Sequence, residues 1–169
     1  MSTIYLLRHA EREDNHAFNT NLTELGMYNS NHHIKQELMT LNLDNIYCSP
    51  FRRCLQTVLP YARETAKLIK VESALAENTP FPPEKMFMSY IDNNYQSVVP
   101  FTGKYGKSFS TIKEQLSEFL ATIQHCETTQ TCVLVTHLPV INAFYSILGH
   151  DNKFFTKQPL GEIQGPFYT

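Results

Sequence analysis

The chain has 169 residues, of which 42% are apolar and 18% charged, and its formal net charge is −2 with neutral histidines. This composition is ordinary for a globular protein, and the length favours one domain over residues 1–169. The charge balance offers no basic surface for nucleic acid, and no apolar run approaches the roughly 20 residues that span a membrane. The N-terminal MSTIYLL lacks the charged start and cleavage site of a signal peptide. We therefore expect a cytoplasmic protein with no nucleic-acid or membrane partner.

The four cysteines, Cys48, Cys54, Cys126 and Cys132, form no CxxC pair. No cysteine pair stands at zinc-ligand spacing from His32-His33 either. We expect reduced and mostly buried thiols, which agrees with a cytosol-like compartment.

Short apolar runs alternate with helical patterns along the chain, which predicts an α/β fold. The first strand is expected over Thr3–Arg8, followed by a loop to Asn21. There Asn21 has the spacing of an N-cap with Glu24 at the third helical position. A helical stripe follows, formed by Leu22, Leu25, Ile34, Leu38 and Leu41.

A second strand is predicted over Asn45–Cys48, and Ser49-Pro50 has the pattern of an N-cap followed by a first-turn proline. The helix that begins there is expected to run to about Ala66, and a third strand covers Leu68–Val71. Residues 79–106 contain four prolines and little periodicity, which indicates a long excursion over the site or the surface.

The helical period returns from Ser108, and residues 131–136 (TCVLVT) form a nearly continuous apolar run. Such a run is typical of a strand that is covered on both faces. The next helix begins near Pro139 and is expected to end at Gly149. The aromatic tail after Asp151 is expected to pack as an irregular segment or an edge strand.

Three strand ends carry side chains suited to binding an anion. Arg8-His9 ends the first strand, Arg53 lies in the first turn after the second, and His137 ends the strand of residues 131–136. Ligands of open α/β sheets bind beyond the carboxyl ends of the strands, so these residues converge if the three strands are parallel neighbours. Arginine forks and helix N-termini suit a phosphate. Two histidines beside them suggest chemistry at phosphorus, with one as nucleophile and the other stabilising charge.

Each feature also has an ordinary explanation. A histidine at a strand end can lie on the surface, Arg52-Arg53 can be a solvated helix face, and His137 can be a core histidine bonded to a carbonyl. The order of the features favours the site, because each follows a predicted strand.

Other phosphate chemistries fit the sequence less well. The spacing from Cys48 to Arg52 and Arg53 differs from the Cys-x5-Arg loop of cysteine phosphatases. The chain has neither a GxxxxGK[ST] loop nor GxGxxG. No carboxylate cluster indicates a magnesium-dependent enzyme, and the isolated carboxylates that stay open as ligands are Asp44, Asp92 and Asp151.

The chain contains, in this order, the four segments LLRHAE, NLTELG, CSPFRRCLQT and VLVTHLPVI. Together they resemble the histidine phosphatase superfamily, also called phosphoglycerate-mutase-like. The matches cover the first third of the chain and residues 131–148. The resemblance implies a three-layer α/β/α sandwich, with a mostly parallel sheet and helices on both faces. RHAERED and SPFRRCLQT are most similar to the branch of ecdysteroid-phosphate and T-cell ubiquitin-ligand phosphatases. Arg12, Asp14 and Cys54 match that branch, and Arg12 is implied as an extra phosphate ligand.

The resemblance also implies a role for each matched residue. His9 is the nucleophile that becomes phosphohistidine, while Arg8, Arg53 and His137 bind the phosphoryl group. Neither a metal nor another cofactor is required. The family's general acid comes from a loop after the third strand, which indicates Glu77. The competing carboxylates for that role are Glu84 and Asp92.

The expected function is a metal-independent phosphomonoester hydrolase that acts on a phosphorylated small molecule or a phosphoprotein. A phosphatase of protein phosphohistidine or of a sugar phosphate is an alternative within enzymes. A phospho-ligand binding module without turnover is an alternative of another class, since Leu138-Pro139 replaces the family's glycine-rich pair and Ala10 its usual glycine. A phosphoglycerate mutase is less expected, because those enzymes are longer and carry an insertion around the substrate.

Overall fold

The computed structural model describes residues 1–14, 20–77, 95–97, 109–150 and 160–169. Its strands are β1 (Thr3–Arg8), β2 (Asn45–Cys48), β3 (Ile69–Val71), β4 (Tyr95–Ser97), β5 (Thr131–Thr136) and β6 (Ile163–Tyr168). Its α-helices are α1 (Glu24–Asn29), α2 (Lys35–Met39), α3 (Arg52–Thr65), α4 (Phe109–Gln124) and α5 (Leu138–Ile147). A π-helical turn joins α1 to α2, and a 3-10 turn, Ser73–Leu75, follows β3.

The six strands form one sheet in the order β4-β3-β2-β5-β1-β6. The first five strands in this order run parallel, and β6 pairs antiparallel with β1 at one edge. The register pairs Val135 with Leu7 on one side and with Cys48 on the other. The carboxyl ends of β1, β5 and β2 are therefore level at one edge of the sheet, as predicted for the three strand ends.

Helices cover both faces of the sheet, and alternate residues of β5 show the two layers. Val133 and Val135 belong to a core with α2 and α3, whereas Cys132 and Leu134 belong to a second core with α4 and α5. All four side chains are buried, which explains why this strand is apolar throughout. The predicted three-layer α/β/α sandwich is confirmed.

The start of the first helix differs from the prediction. Thr23, rather than Asn21, is the N-cap, and its hydroxyl accepts the Gly26 N–H at 3.0 Å. Asn21 instead accepts from Gln56 at 3.2 Å. Gly26 packs so closely that an added Cβ would lie 2.1 Å from the Glu11 carbonyl oxygen. Leu25, predicted in the apolar stripe, is 55% exposed, because Gly26 takes the inward position beside it.

The start of α3 also differs from the prediction. The helix begins at Arg52 with Phe51 at the N-cap, so Ser49-Pro50 is not the cap and first residue. Ser49 Oγ is within hydrogen-bond distance of His137 Nε2, at 2.8 Å. The same hydroxyl also accepts the Phe51 N–H at 3.4 Å, so Ser49 contacts both the start of α3 and a residue 88 positions away.

The later elements follow the sequence pattern with one addition. A short strand, β4, lies within the stretch predicted as an excursion and pairs parallel with β3. Gly149 has φ +78° directly after the last turn of α5, as expected for a glycine that ends a helix. The tail contributes the edge strand β6. Cys48, Cys54 and Cys132 are buried free thiols, and Cys126 is exposed.

Candidate active site

The carboxyl ends of β1, β2 and β5 bring His9, Arg53 and His137 together. The ring centroids of His9 and His137 lie 5.3 Å apart, and Arg53 Nη2 lies 3.4 Å from His137 Nδ1. All three residues are buried. A cluster of two imidazoles and a guanidinium at the edge of a parallel sheet is suited to holding an anion.

The protonation of His9 can be assigned from its hydrogen bond. Its Nδ1 lies 2.8 Å from the carbonyl oxygen of Ala10, and a carbonyl can only accept, so Nδ1 carries the proton. Burial, with the charges of Arg53, Arg8 and Arg12, lowers the pKa of His9 to about 3, against a smaller opposing effect of the Ala10 hydrogen bond. The imidazole is therefore neutral near pH 7, with a lone pair on Nε2.

The backbone around His9 is fixed from three sides. The His9 N–H donates to Thr136 in β5 at 3.1 Å, and the Ala10 N–H donates to Thr57 Oγ1 at 2.9 Å. The Gly161 N–H contacts the carbonyl oxygens of Arg8 and His9 at 3.1 and 3.2 Å. Sequence reasoning gave no role to Thr57, although it ends the CSPFRRCLQT segment.

Thr57 also links this loop to α3. Its hydroxyl donates to the carbonyl of Arg53 at 2.7 Å while it accepts from Ala10. Gln56 beside it accepts the Leu22 N–H at 2.8 Å. Thr57 and Gln56 therefore connect Ala10 and Leu22, on either side of residues 15–19, to the helix that carries Arg53.

The two ring nitrogens of His137 face different surroundings. Nε2 lies 2.8 Å from Ser49 Oγ and 3.5 Å from Cys54 Sγ, on the protein side. Nδ1 lies 3.3 Å from Glu77 Oε1. The same nitrogen lies 3.4 Å from Arg53 Nη2, so Nδ1 faces both the carboxylate and the guanidinium of the site.

Glu77 joins the cluster from the segment after β3. Its carboxylate forms an ion pair with Arg53 Nη2 and contacts His137 Nδ1. Arg53 is 3% exposed, whereas the Glu77 side chain is 25% exposed. A carboxylate oxygen therefore lies between Arg53 and His137, the two side chains expected to bind a phosphate oxygen, and it lies on the open side of the site.

Arg8 and Arg12 lie further out. Arg8 is half-buried, and burial is the main cause that lowers its pKa, opposed by the charge of Glu77. Arg12 is exposed and donates to the carbonyl of Glu13 at 3.1 Å. Its charge also acts on Arg8 and His9, so Arg12 lies near these two residues.

Several other predicted residues can also be placed. Asp14 is exposed, and Leu138 and Pro139 are half-buried in the first turn of α5. Burial raises the pKa of the Cys54 thiol to about 12. The alternative acids, Glu84 and Asp92, lie outside the described residues.

The described part of the chain shows neither a cluster of metal ligands nor a membrane-spanning helix. Over residues 1–14, 20–77, 109–150 and 160–169, no three side chains of His, Cys, Asp or Glu are grouped so as to hold a metal ion. Within the same ranges, no helix is long and apolar enough to cross a membrane.

Comparison with known protein families agrees with this arrangement. The sequence profile of the histidine phosphatase superfamily, branch 1, matches residues 4–163. The chain belongs to this family. The resemblance seen in the sequence motifs is confirmed, and the match extends across the region between them.

Related sequences and structures carry phosphatase names. A probable phosphatase of Schizosaccharomyces pombe is 33% identical over 64 residues, which cover 34% of this chain and 30% of the yeast protein. The chain thus spans about a third of that relative. The phosphoserine phosphatase of Entamoeba histolytica, solved with phosphoserine, is 22% identical with a TM-score of 0.67 and covers 96% of this chain and 89% of its own.

Two further solved structures share the fold. Mycobacterial glucosyl-3-phosphoglycerate phosphatase has a TM-score of 0.72 at 16% identity, covering 96% of this chain and 88% of its own. The ecdysone phosphate phosphatase of the silkworm Bombyx mori, solved with tungstate, has a TM-score of 0.62 at 16% identity, with the same coverage of 96% and 88%. The silkworm protein represents the branch that RHAERED and SPFRRCLQT resemble.

Proposed function

We propose that this member of the family is a phosphomonoester hydrolase that works through a phosphohistidine at His9 and needs no metal. The observation that carries the proposal is the state of His9. It is neutral, its Nδ1–H is held by the Ala10 carbonyl, and its Nε2 lone pair is available. It also lies 5.3 Å from His137, in a cluster of cationic donors.

The first step transfers the phosphoryl group to His9. Nε2 attacks phosphorus, a P–N bond forms, and the P–O bond to the leaving group breaks. Arg8, Arg53 and His137 neutralise the charge on the phosphoryl oxygens. Splitting one displacement into two in this way lowers each barrier.

Glu77 is the proposed general acid of this step and the base of the next. The phosphoryl group takes over Arg53 Nη2 and His137 Nδ1, the donors that contact Glu77 in the structure. Once displaced from these cationic partners, the carboxylate takes up a proton from solvent on the open side of the site and gives it to the leaving oxygen. In the second step the carboxylate takes a proton from water, the water oxygen attacks phosphorus, and the P–N bond breaks to release phosphate.

The proposed substrate is a phosphorylated small molecule or a phosphoprotein. The proposed contacts of Arg8, Arg53 and His137 involve only the phosphoryl group of the substrate. The structural neighbours are named for phosphoserine, glucosyl-3-phosphoglycerate and ecdysone phosphate, so the shared fold agrees with chemically unlike leaving groups. Phosphoserine is accordingly a sound first substrate to assay, beside a generic aryl phosphate.

The test measures aryl phosphate hydrolysis in excess chelator by the wild type, His9→Ala and a control, His150→Ala, at an exposed histidine. Wild type and control are expected to turn over, and His9→Ala to lose at least a thousandfold in kcat. A rapid quench should trap an acid-labile, alkali-stable phosphoryl label in the wild type and in the control, but not in His9→Ala. Activity abolished by the chelator, or retained by His9→Ala, would refute the mechanism. Phosphate binding without turnover by the wild type would assign a binding module instead.

A further inference from the structure

The side chain of Phe51 contacts two of the proposed phosphate-binding residues, Arg53 and His137. The guanidinium carbon of Arg53 lies 4.3 Å from the centroid of the Phe51 ring. The ring of His137 lies 4.7 Å away, centroid to centroid, at an interplanar angle of 71°. Phe51 itself is fully buried, with 0% exposure, so neither contact is made in water.

The contact with Arg53 fits a cation–π interaction. The face of an aromatic ring carries partial negative charge and attracts a cation within about 6 Å, and the attraction is larger when both groups are desolvated. A flat ring also restricts the plane of the guanidinium. Because Arg53 Nη2 contacts both Glu77 and His137 Nδ1, that plane decides where the Nη2 donor points.

The backbone of Phe51 holds the ring in place. Its carbonyl accepts from the N–H groups of Cys54 and Leu55 at 3.0 and 3.2 Å, which start α3. Its own N–H donates to Ser49 Oγ at 3.4 Å. Ser49 Oγ also contacts His137 Nε2, so His137 is held through Ser49 on one side and contacts the Phe51 ring directly.

We propose that Phe51 is a positioning residue of the proposed reaction. Its ring aligns the guanidinium of Arg53 and the imidazole of His137 so that both donors meet the same phosphoryl group. This inference rests on the proposed function, since it assigns a purpose to the alignment of those donors. A simple packing role would make the ring interchangeable with any apolar group of similar size.

The chain offers a matched control for packing. Phe51 and Phe144 are the two fully buried phenylalanines of the described residues, and Phe144 belongs to the second core with α4 and α5. Replacing either by leucine removes a buried ring from a core. Only the change at position 51 removes a ring from Arg53 and His137.

The experiment compares Phe51→Leu with Phe144→Leu in thermal stability, in kcat/KM for an aryl phosphate, and in inhibition by inorganic phosphate. At similar losses of stability, Phe51→Leu is expected to lose roughly tenfold in both kcat/KM and phosphate affinity, the size of a buried cation–π contact. Phe144→Leu should stay within twofold of the wild type in both. Equal effects of the two variants would overturn the proposal.

A second measurement holds even if Phe51→Leu fails to fold. Mono-, di- and trifluorophenylalanine at position 51 keep the shape of the ring and progressively withdraw electron density from its face. Phosphate affinity is expected to fall stepwise along this series. An affinity that is flat along the series would overturn the role of the ring. Phosphate binding needs no turnover, so this result stays readable if His9→Ala shows the hydrolytic mechanism to be wrong.

Discussion

Replacing His9 with glutamine is expected to make the fold less sensitive to acid. In the folded protein burial is the main cause that lowers the pKa of His9 from 6.5 to about 3. Between these values the unfolded chain binds a proton that the folded chain does not. The contribution of His9 to stability is therefore fully present above pH 6.5 and is lost as the pH falls toward 3.

The size of the effect follows from the pKa of His9 in the two states. Each pH unit below the unfolded pKa costs about 1.4 kcal/mol while the folded residue stays neutral. At pH 5 the neutral, buried imidazole should lower the free energy of unfolding by about 2 kcal/mol relative to pH 8. Glutamine has no proton to gain, so His9→Gln should lack this part of the acid sensitivity.

Urea unfolding at pH 5 and pH 8 measures the prediction directly. The wild type, His9→Gln and the exposed-site control His150→Gln are compared, and the quantity of interest is the loss of free energy of unfolding between the two pH values. The control should follow the wild type, since its histidine is exposed. If His9→Gln loses as much stability as the wild type, His9 is not held neutral by burial and the assigned state of the proposed nucleophile is wrong.

Two further substitutions and one labelling experiment probe the site. Glu77→Gln should lower kcat at least a hundredfold, as expected for loss of a general acid. Inorganic phosphate should inhibit this variant more tightly, because no carboxylate competes for Arg53 and His137. An unchanged kcat in steady-state kinetics would contradict the role of Glu77. Thr57→Val removes two buried hydrogen bonds and should lower the free energy of unfolding in urea by about 1–3 kcal/mol. The control Thr65→Val should lower it by less, because it loses only one half-buried hydrogen bond, to Tyr61. Burial raises the pKa of Cys54 to about 12, so at pH 8 Cys54 should be alkylated more slowly than the exposed Cys126. Equal alkylation rates of the two cysteines in mass spectrometry would refute this prediction.

The convergence of the strand ends could be predicted from the sequence because its causes are local. An apolar run that stops at a charged residue marks the end of a buried strand, and parallel strands place such ends at one edge. Arg8, His9, Arg53 and His137 each follow such a run directly or within one turn. The local sequence pattern was therefore sufficient to predict that these four residues lie at the carboxyl ends of the strands.

The starts of the helices could not be predicted in the same way, because distant residues decide them. Ser49 has the right type for an N-cap, yet its hydroxyl contacts His137, 88 positions later. Asn21 likewise accepts from Gln56, 35 positions later. For Asn21 a tertiary hydrogen bond replaces the local one that the pattern favours, whereas Ser49 makes its tertiary contact in addition to a local bond from the Phe51 N–H.

The strand β4 and the ion pair between Arg53 and Glu77 could not be predicted from the sequence either. The strand β4 has three residues, which is too short for a period of two to be recognised. The ion pair between Arg53 and Glu77 joins two segments whose approach depends on the order of β2 and β3 in the sheet. The family resemblance indicated Glu77, in the loop after the third strand, but not its contact with Arg53.

The position of β5 between β1 and β2 also constrains the order of folding during synthesis. The strands β1 and β2 are not neighbours in the sheet, and the strand that joins them begins at residue 131. During synthesis both strands therefore keep an unpaired edge until residues 131–136 have been made. Contacts so distant in sequence slow folding and leave such edges open to aggregation. Binding of these edges by a holding chaperone would protect the growing chain during this interval.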